Sequence, residues 1–65
     1  MTDDIKDHVG SLEKGLAVIA AFDGATPRLN VAQAARKTGL TRASARRYLL
    51  TLARLGYAES NGRQF

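Results

Sequence analysis

Gly39-Leu40-Thr41-Arg42-Ala43-Ser44-Ala45-Arg46-Arg47-Tyr48-Leu49-Leu50-Thr51-Leu52 carries more architectural information than any other segment of this chain. A glycine suited to the left-handed position ends one helix, and two residues later Thr41 can cap the next. On a helical wheel Ala45, Tyr48, Leu49, Leu52 and Leu55 gather on one side. Arg47, Arg54, Ala43 and, more laterally, Arg46 face the other way. Leu50 also falls on that outward side, without an obvious partner. The segment therefore predicts a helix from about Arg42 to Leu55, greasy behind and cationic in front.

Upstream, the residues before Gly39 read as a second helix. Asn30 followed three residues later by Gln33 matches a capping box, and Arg36 and Lys37 suit the negative end of the helix dipole. Leu29-Asn30-Val31 alternates, so it is either a short strand or the lead into that helix. Val31, Ala34 and Ala35 form a narrow stripe of small side chains that allows close packing. Before it, Ser11 is placed to cap a first helix, with Leu12, Leu16, Ile19 and Ala20 as its apolar stripe and Val18 and Phe22 on the flank. Gly15 costs that helix about 1 kcal/mol relative to Ala. Asp23-Gly24 stops it, and Ala25 to Arg28, around Pro27, forms a loop. Residues 1–10 read as a flexible arm containing the single histidine, His8.

Downstream, Gly56 closes the third helix, and Tyr57 to Phe65 reads as a β-hairpin turning at Asn61-Gly62. The expected fold is mostly α: a three-helix winged helix-turn-helix over residues 11–65, with a small β-hairpin wing cut short. Tyr48, Tyr57, Phe22 and Phe65 are assigned to its core.

Composition narrows the chemistry. A 65-residue chain buries only ~60% of its unfolded surface, and with no cysteine it has no disulfide to staple it. One histidine and no cysteine leave a structural zinc site without ligands. Catalysis is not expected, because the acids crowd into residues 1–27 without a general acid/base pair and the glycines form no phosphate loop. No cofactor is implied. No apolar run reaches ~20 residues and the N-terminus is not a signal peptide, so a cytoplasmic protein without a membrane partner is expected.

The net charge of +4 is unevenly spread, and the pI is about 10.1. Lys6 and Lys14 against Asp3, Asp4, Asp7, Glu13 and Asp23 leave residues 1–27 at −3. Arg28, Arg36, Lys37, Arg42, Arg46, Arg47, Arg54 and Arg63 against Glu59 leave residues 28–65 at +7. Polyphosphate is the usual partner of such a surface. In a helix-turn-helix the first helix of the pair lies over the phosphate backbone, while the N-terminal front of the second enters the major groove. A guanidinium there pairs bidentately with guanine or clamps a phosphate. The candidate DNA-binding residues are therefore Thr41, Arg42, Ala43, Ser44, Arg46 and Arg47, joined by Asn61 and Arg63 of the wing. Ala43 and Ser44 are short enough to let the backbone approach the bases, although Ser44 would serve equally as a first-turn cap. A helical protein-interaction module docking an acidic partner through the same basic face is the rival from another class, and a shape-reading RNA binder is a third.

Ser11-Leu12-Glu13-Lys14-Gly15-Leu16-Ala17-Val18-Ile19, the segment from Gly39 to Leu52, and Leu55-Gly56-Tyr57 together resemble the N-terminal DNA-binding domain of the IclR family of bacterial transcription regulators. Gly24-Ala25-Thr26-Pro27 and Thr41-Arg42-Ala43 resemble the subgroup controlling aromatic-acid catabolism through the β-ketoadipate pathway. The resemblance implies a winged helix-turn-helix acting as a dimer on a double-stranded operator, partly through the first helix. It also implies a small-molecule effector bound by a C-terminal domain that these residues do not include. Family members carry Ser or Thr near position 32, where this chain has Ala32.

Overall fold

A computed structural model describes residues 7–65 and contains three helices: α1 (Gly10–Ala21), α2 (Val31–Thr38) and α3 (Arg42–Arg54). Of the expected arm, residues 1–6 lie outside the described part. His8 is exposed, with its Nε2 2.9 Å from Glu13 Oε1 in the first turn of α1.

The helix-turn-helix pair forms as its end signals dictate. Asn30 Oδ1 accepts from the Gln33 amide at 2.8 Å and Gln33 Oε1 accepts from the Asn30 amide at 2.9 Å, a complete capping box. The Ala32 departure therefore leaves α2 capped. Gly39 ends α2 at φ 76°, a conformation that costs other residues a Cβ clash. Thr41 then caps α3 by accepting from the Ser44 amide at 3.1 Å. At the far end Gly56 (φ 89°) closes a Schellman motif: its amide donates to Ala53 O at 3.2 Å and the Tyr57 amide to Leu52 O at 2.9 Å.

The core is small. Val18 and Ala21 of α1, Leu29 just before α2, Ala34 and Ala35 of α2, and Ala45 and Leu49 of α3 are buried, with Phe22, Val31, Leu40, Tyr48, Leu52 and Phe65 packed around them. Four of the seven buried side chains are alanines, which lets the helices approach closely. The ring of Tyr48 rests on α1 at Gly15, whose missing Cβ would stand 3.8 Å from Tyr48 Cδ1. No backbone of another element comes within 4 Å of that Cβ position.

Structure and expectation part at four places. First, α1 starts at Gly10 behind Val9, which offers no side-chain cap, so Ser11 falls inside the first turn. Second, the apolar stripe read on α1 faces solvent, and its flank is what packs inward: Leu12 is 60%, Leu16 55% and Ile19 45% exposed. Val18, Ala21 and Phe22, at i, i+3 and i+4, form a competing stripe, and only one of two such faces can meet α2 and α3. Third, Leu55 and Tyr57 are exposed, Tyr57 by 78%, because the Schellman turn carries the chain off the end of α3 before either reaches the core.

Fourth, no strand is found among the described residues where the β-hairpin wing is expected, although the Asn61 amide donates to Gln64 O at 3.1 Å across the turn. The Tyr57 and Ala58 amides are spent on Leu52 O rather than on a ladder. Asn61 keeps a negative φ, and its Oδ1 accepts from the Arg63 and Gln64 amides at 3.1 and 2.9 Å, making a local Asx turn with only Gly62 (φ 96°) left-handed. One sheet-like exchange remains. The Leu29 amide donates to Phe65 O at 3.1 Å, and the Phe65 amide donates to Leu29 O at 2.8 Å. That pair ties the end of the chain to the start of α2.

Candidate nucleic-acid interface

The orientation of α3 follows from which of its positions are buried. Ala45 and Leu49 lie fully in the core, and Tyr48 and Leu52 are half-buried beside them. Thirteen residues without a single acid then leave Arg42, Arg46, Arg47 and Arg54 on the exposed side. No described carboxylate lies within ion-pair distance of any of these guanidiniums, since the ion pairs among the described residues are His8–Glu13 and Lys37–Asp23. Four cations on about 20 Å of helix, unneutralised, produce a concentrated positive field.

The other expected site residues divide into two groups. Thr41, Arg42, Ala43, Ser44, Arg46 and Arg47 occupy the start of α3, all exposed except the half-buried Ser44. Thr41 is the cap, so Ser44 contributes its amide to the cap and its hydroxyl is not needed for it. Asn61 and Arg63 are exposed on the turn, in a recess they share with Asn30, Gly62 and Gln64. The structure thus sets them beside the N-terminus of α2.

Lys37 serves a purpose that charge counting missed. Its Nζ donates to Ala21 O at 2.8 Å, Thr26 Oγ1 at 3.1 Å and Asp23 Oδ2 at 3.3 Å. All three ammonium donors are engaged, one capping the last carbonyl of α1 and two holding the loop that follows it, which draws Lys37 away from the basic surface. Asp23 Oδ1 meanwhile accepts from the Ala25 and Thr26 amides at 2.9 and 2.7 Å. The Thr26 hydrogen bonds, and after them the one from Lys37, hold the Asp23 carboxyl below its usual range. A lysine near a helix end signals such a role only when the neighbouring helix end is known.

A tight glycine turn between two short helices, the second buried at its back and arginine-rich in front, defines a helix-turn-helix domain. Comparison with known proteins narrows this. Residues 11–62 match the IclR helix-turn-helix domain, and the chain belongs to that family, the DNA-binding domains of transcription regulators. It is 52% identical over 60 residues to the Pca operon regulatory protein of Acinetobacter baylyi, covering 92% of this chain and 22% of that protein. It is 47% identical over 60 residues to the p-hydroxybenzoate hydroxylase transcriptional activator of the same organism, again covering 92% and 22%. The crystal structure of a transcriptional regulator from Rhodococcus sp. RHA1 superposes with a TM-score of 0.86 at 52% identity, over 89% of this chain and 23% of that one. The chain spans about a fifth of the length of these relatives.

Proposed function

We propose that this domain binds double-stranded DNA sequence-specifically, with α3 in the major groove, as the reading head of a regulator of aromatic-acid catabolism. The observation that carries the reading is the exposed row of guanidiniums on a helix anchored at its back by the fully buried Ala45 and Leu49. The major groove is about 12 Å wide and admits one such helix. Thr41, Arg42, Ala43, Ser44, Arg46 and Arg47 face base edges and flanking phosphates. Asn61 and Arg63, on the turn beside α2, hold the phosphate backbone. The names of the relatives favour genes of aromatic catabolism as targets.

The exposed Leu12, Leu16 and Ile19 on α1, with Val9 at 59%, support a homodimer. An apolar stripe on so small a domain is covered most cheaply by its own copy. Two domains so paired would address half-sites one or more helical turns (about 34–36 Å) apart. An effector domain in the full-length protein would set the response.

The test is selection of duplexes from a random pool by the full-length protein. Enrichment of a symmetric sequence bound at least a thousandfold more tightly than random DNA supports the reading. Equal affinity for every duplex, or preference for an acidic peptide, defeats it.

A further inference from the structure

The outward face of α3 carries an apolar side chain that the guanidinium reading does not use. Leu50 is 40% exposed and absent from the residues packed on the core. It does not line the cavity beneath α1 and the C-terminal segment either. It sits between Arg46 and Arg47, one turn further along the helix, on the strip that also holds Ala43 and Arg54. Ala43 and Leu50 fall within about 20° of each other on the wheel and about 10 Å apart along the axis. Ten ångströms corresponds to about three base-pair steps at 3.4 Å each.

A lone exposed leucine is ordinary on a protein surface. On a face made otherwise of cations, Thr51 and the small Ala43 it is a poor partner for water and for phosphate. The major groove offers one apolar feature on a base edge, the thymine 5-methyl. A helix that only pokes its N-terminus into the groove would leave Leu50 clear of the bases. A helix laid lengthwise, as homeodomains lay theirs, presents its second and third turns to base edges.

Resting on the DNA reading above, we propose that α3 lies along the groove and that Leu50 reads a thymine methyl, flanked by contacts from Arg46 and Arg47. Ala43 meets the groove about three base pairs away, where its own methyl tolerates or favours a second thymine. Leu50 is then a specificity-determining residue, and the extent of the operator half-site includes the base pairs under the middle of α3.

Duplexes enriched by the full-length protein are resynthesised with deoxyuridine replacing each thymidine in turn, which deletes one methyl and leaves every hydrogen-bonding group. The wild type is expected to lose about fourfold in affinity at one position per half-site, the factor that follows from burying one methyl. Leu50→Ala should bind the thymine and uracil duplexes equally at that position, and Leu50→Met should restore the difference. Indifference of the wild type to every uracil overturns the proposal, as does Leu50→Ala that still discriminates at the same position. Loss of the cooperative thermal transition in Leu50→Ala would make Leu50 a packing residue and overturn it too. A pool that yields no enriched sequence fails earlier, on the DNA reading itself.

Discussion

α1 and α3 each bury one face in the same small core, and each leaves an opposite face in water. The outer face of α1 is apolar, with Leu12, Leu16 and Ile19 about half-exposed. That of α3 is cationic, with Arg42, Arg46, Arg47 and Arg54 exposed and Leu50 as its one large apolar member. Exposure alone does not distinguish them; the chemistry of what is exposed does. An uncovered hydrocarbon stripe gains by meeting another hydrocarbon surface. A row of unpaired guanidiniums gains by displacing counterions from a polyphosphate. In the proposed function one helix addresses protein and the other nucleic acid, and the core between them fixes their relative placement.

The comparison breaks most violently at the buried faces. Leu49→Ala removes a fully buried side chain of α3 and should destabilise the domain by about 2–5 kcal/mol, enough to abolish its cooperative thermal unfolding. If the melting temperature were unmoved, the back of α3 would not be what holds it.

The exposed faces should respond separately. Leu16→Glu on α1 should weaken self-association by about 2 kcal/mol or more, read by sedimentation of the full-length protein, while the helical circular dichroism is retained. Arg47→Ala on α3 should leave association intact and lower affinity for a selected duplex by about 1–3 kcal/mol. Equal losses on selected and random duplexes would reassign Arg47 from a base to a phosphate. Should either variant cause the other's defect, the division of labour between the two helices would fail.

Where the two helices touch, a smaller effect is expected with the opposite sign. Gly15→Ala adds a methyl at ordinary contact distance from the Tyr48 ring and replaces a residue that weakens helices. Thermal unfolding should show stabilisation of about 0.5–1 kcal/mol. The last test concerns the Lys37 bridge. Asp23 titrates lower in the folded chain than in the unfolded one, so its contribution is present above the unfolded pKa and is lost as pH falls through the folded value. Acid titration followed by circular dichroism should show stability declining below about pH 4. Asp23→Asn should flatten that decline; an unchanged profile would remove the carboxylate from the bridge.

Around α2 and α3 the local signals match the structure, whereas the Ser11 cap expected for α1 does not form. The Asn30–Gln33 box, the left-handed Gly39, the Thr41 cap and Gly56 are satisfied by atoms within a few residues, so their spacing in the chain is their geometry in space. The exposed arginines of α3 were legible for the same reason, since a helix with one apolar side must present the rest. The reading erred at α1, which offers two apolar stripes, and periodicity does not say which of them meets a neighbour. At Asn61-Gly62 the Asx turn and the helix-end motif take up the Arg63, Gln64, Tyr57 and Ala58 amides, while the Asn61 amide still reaches Gln64 O across the turn.

From the order of residues alone came three helices, the caps of α2 and α3, the glycine turn and the cationic front of α3. The tertiary arrangement decided which face of α1 stays wet, that Lys37 is consumed in capping α1, and that Asn61 and Arg63 stand beside α2. The reason is range: caps and wheel faces depend on contacts a few residues apart. The partner of Lys37 lies as many as sixteen positions away, and that of Phe65 lies on Leu29. Such encounters exist only once the helices have packed.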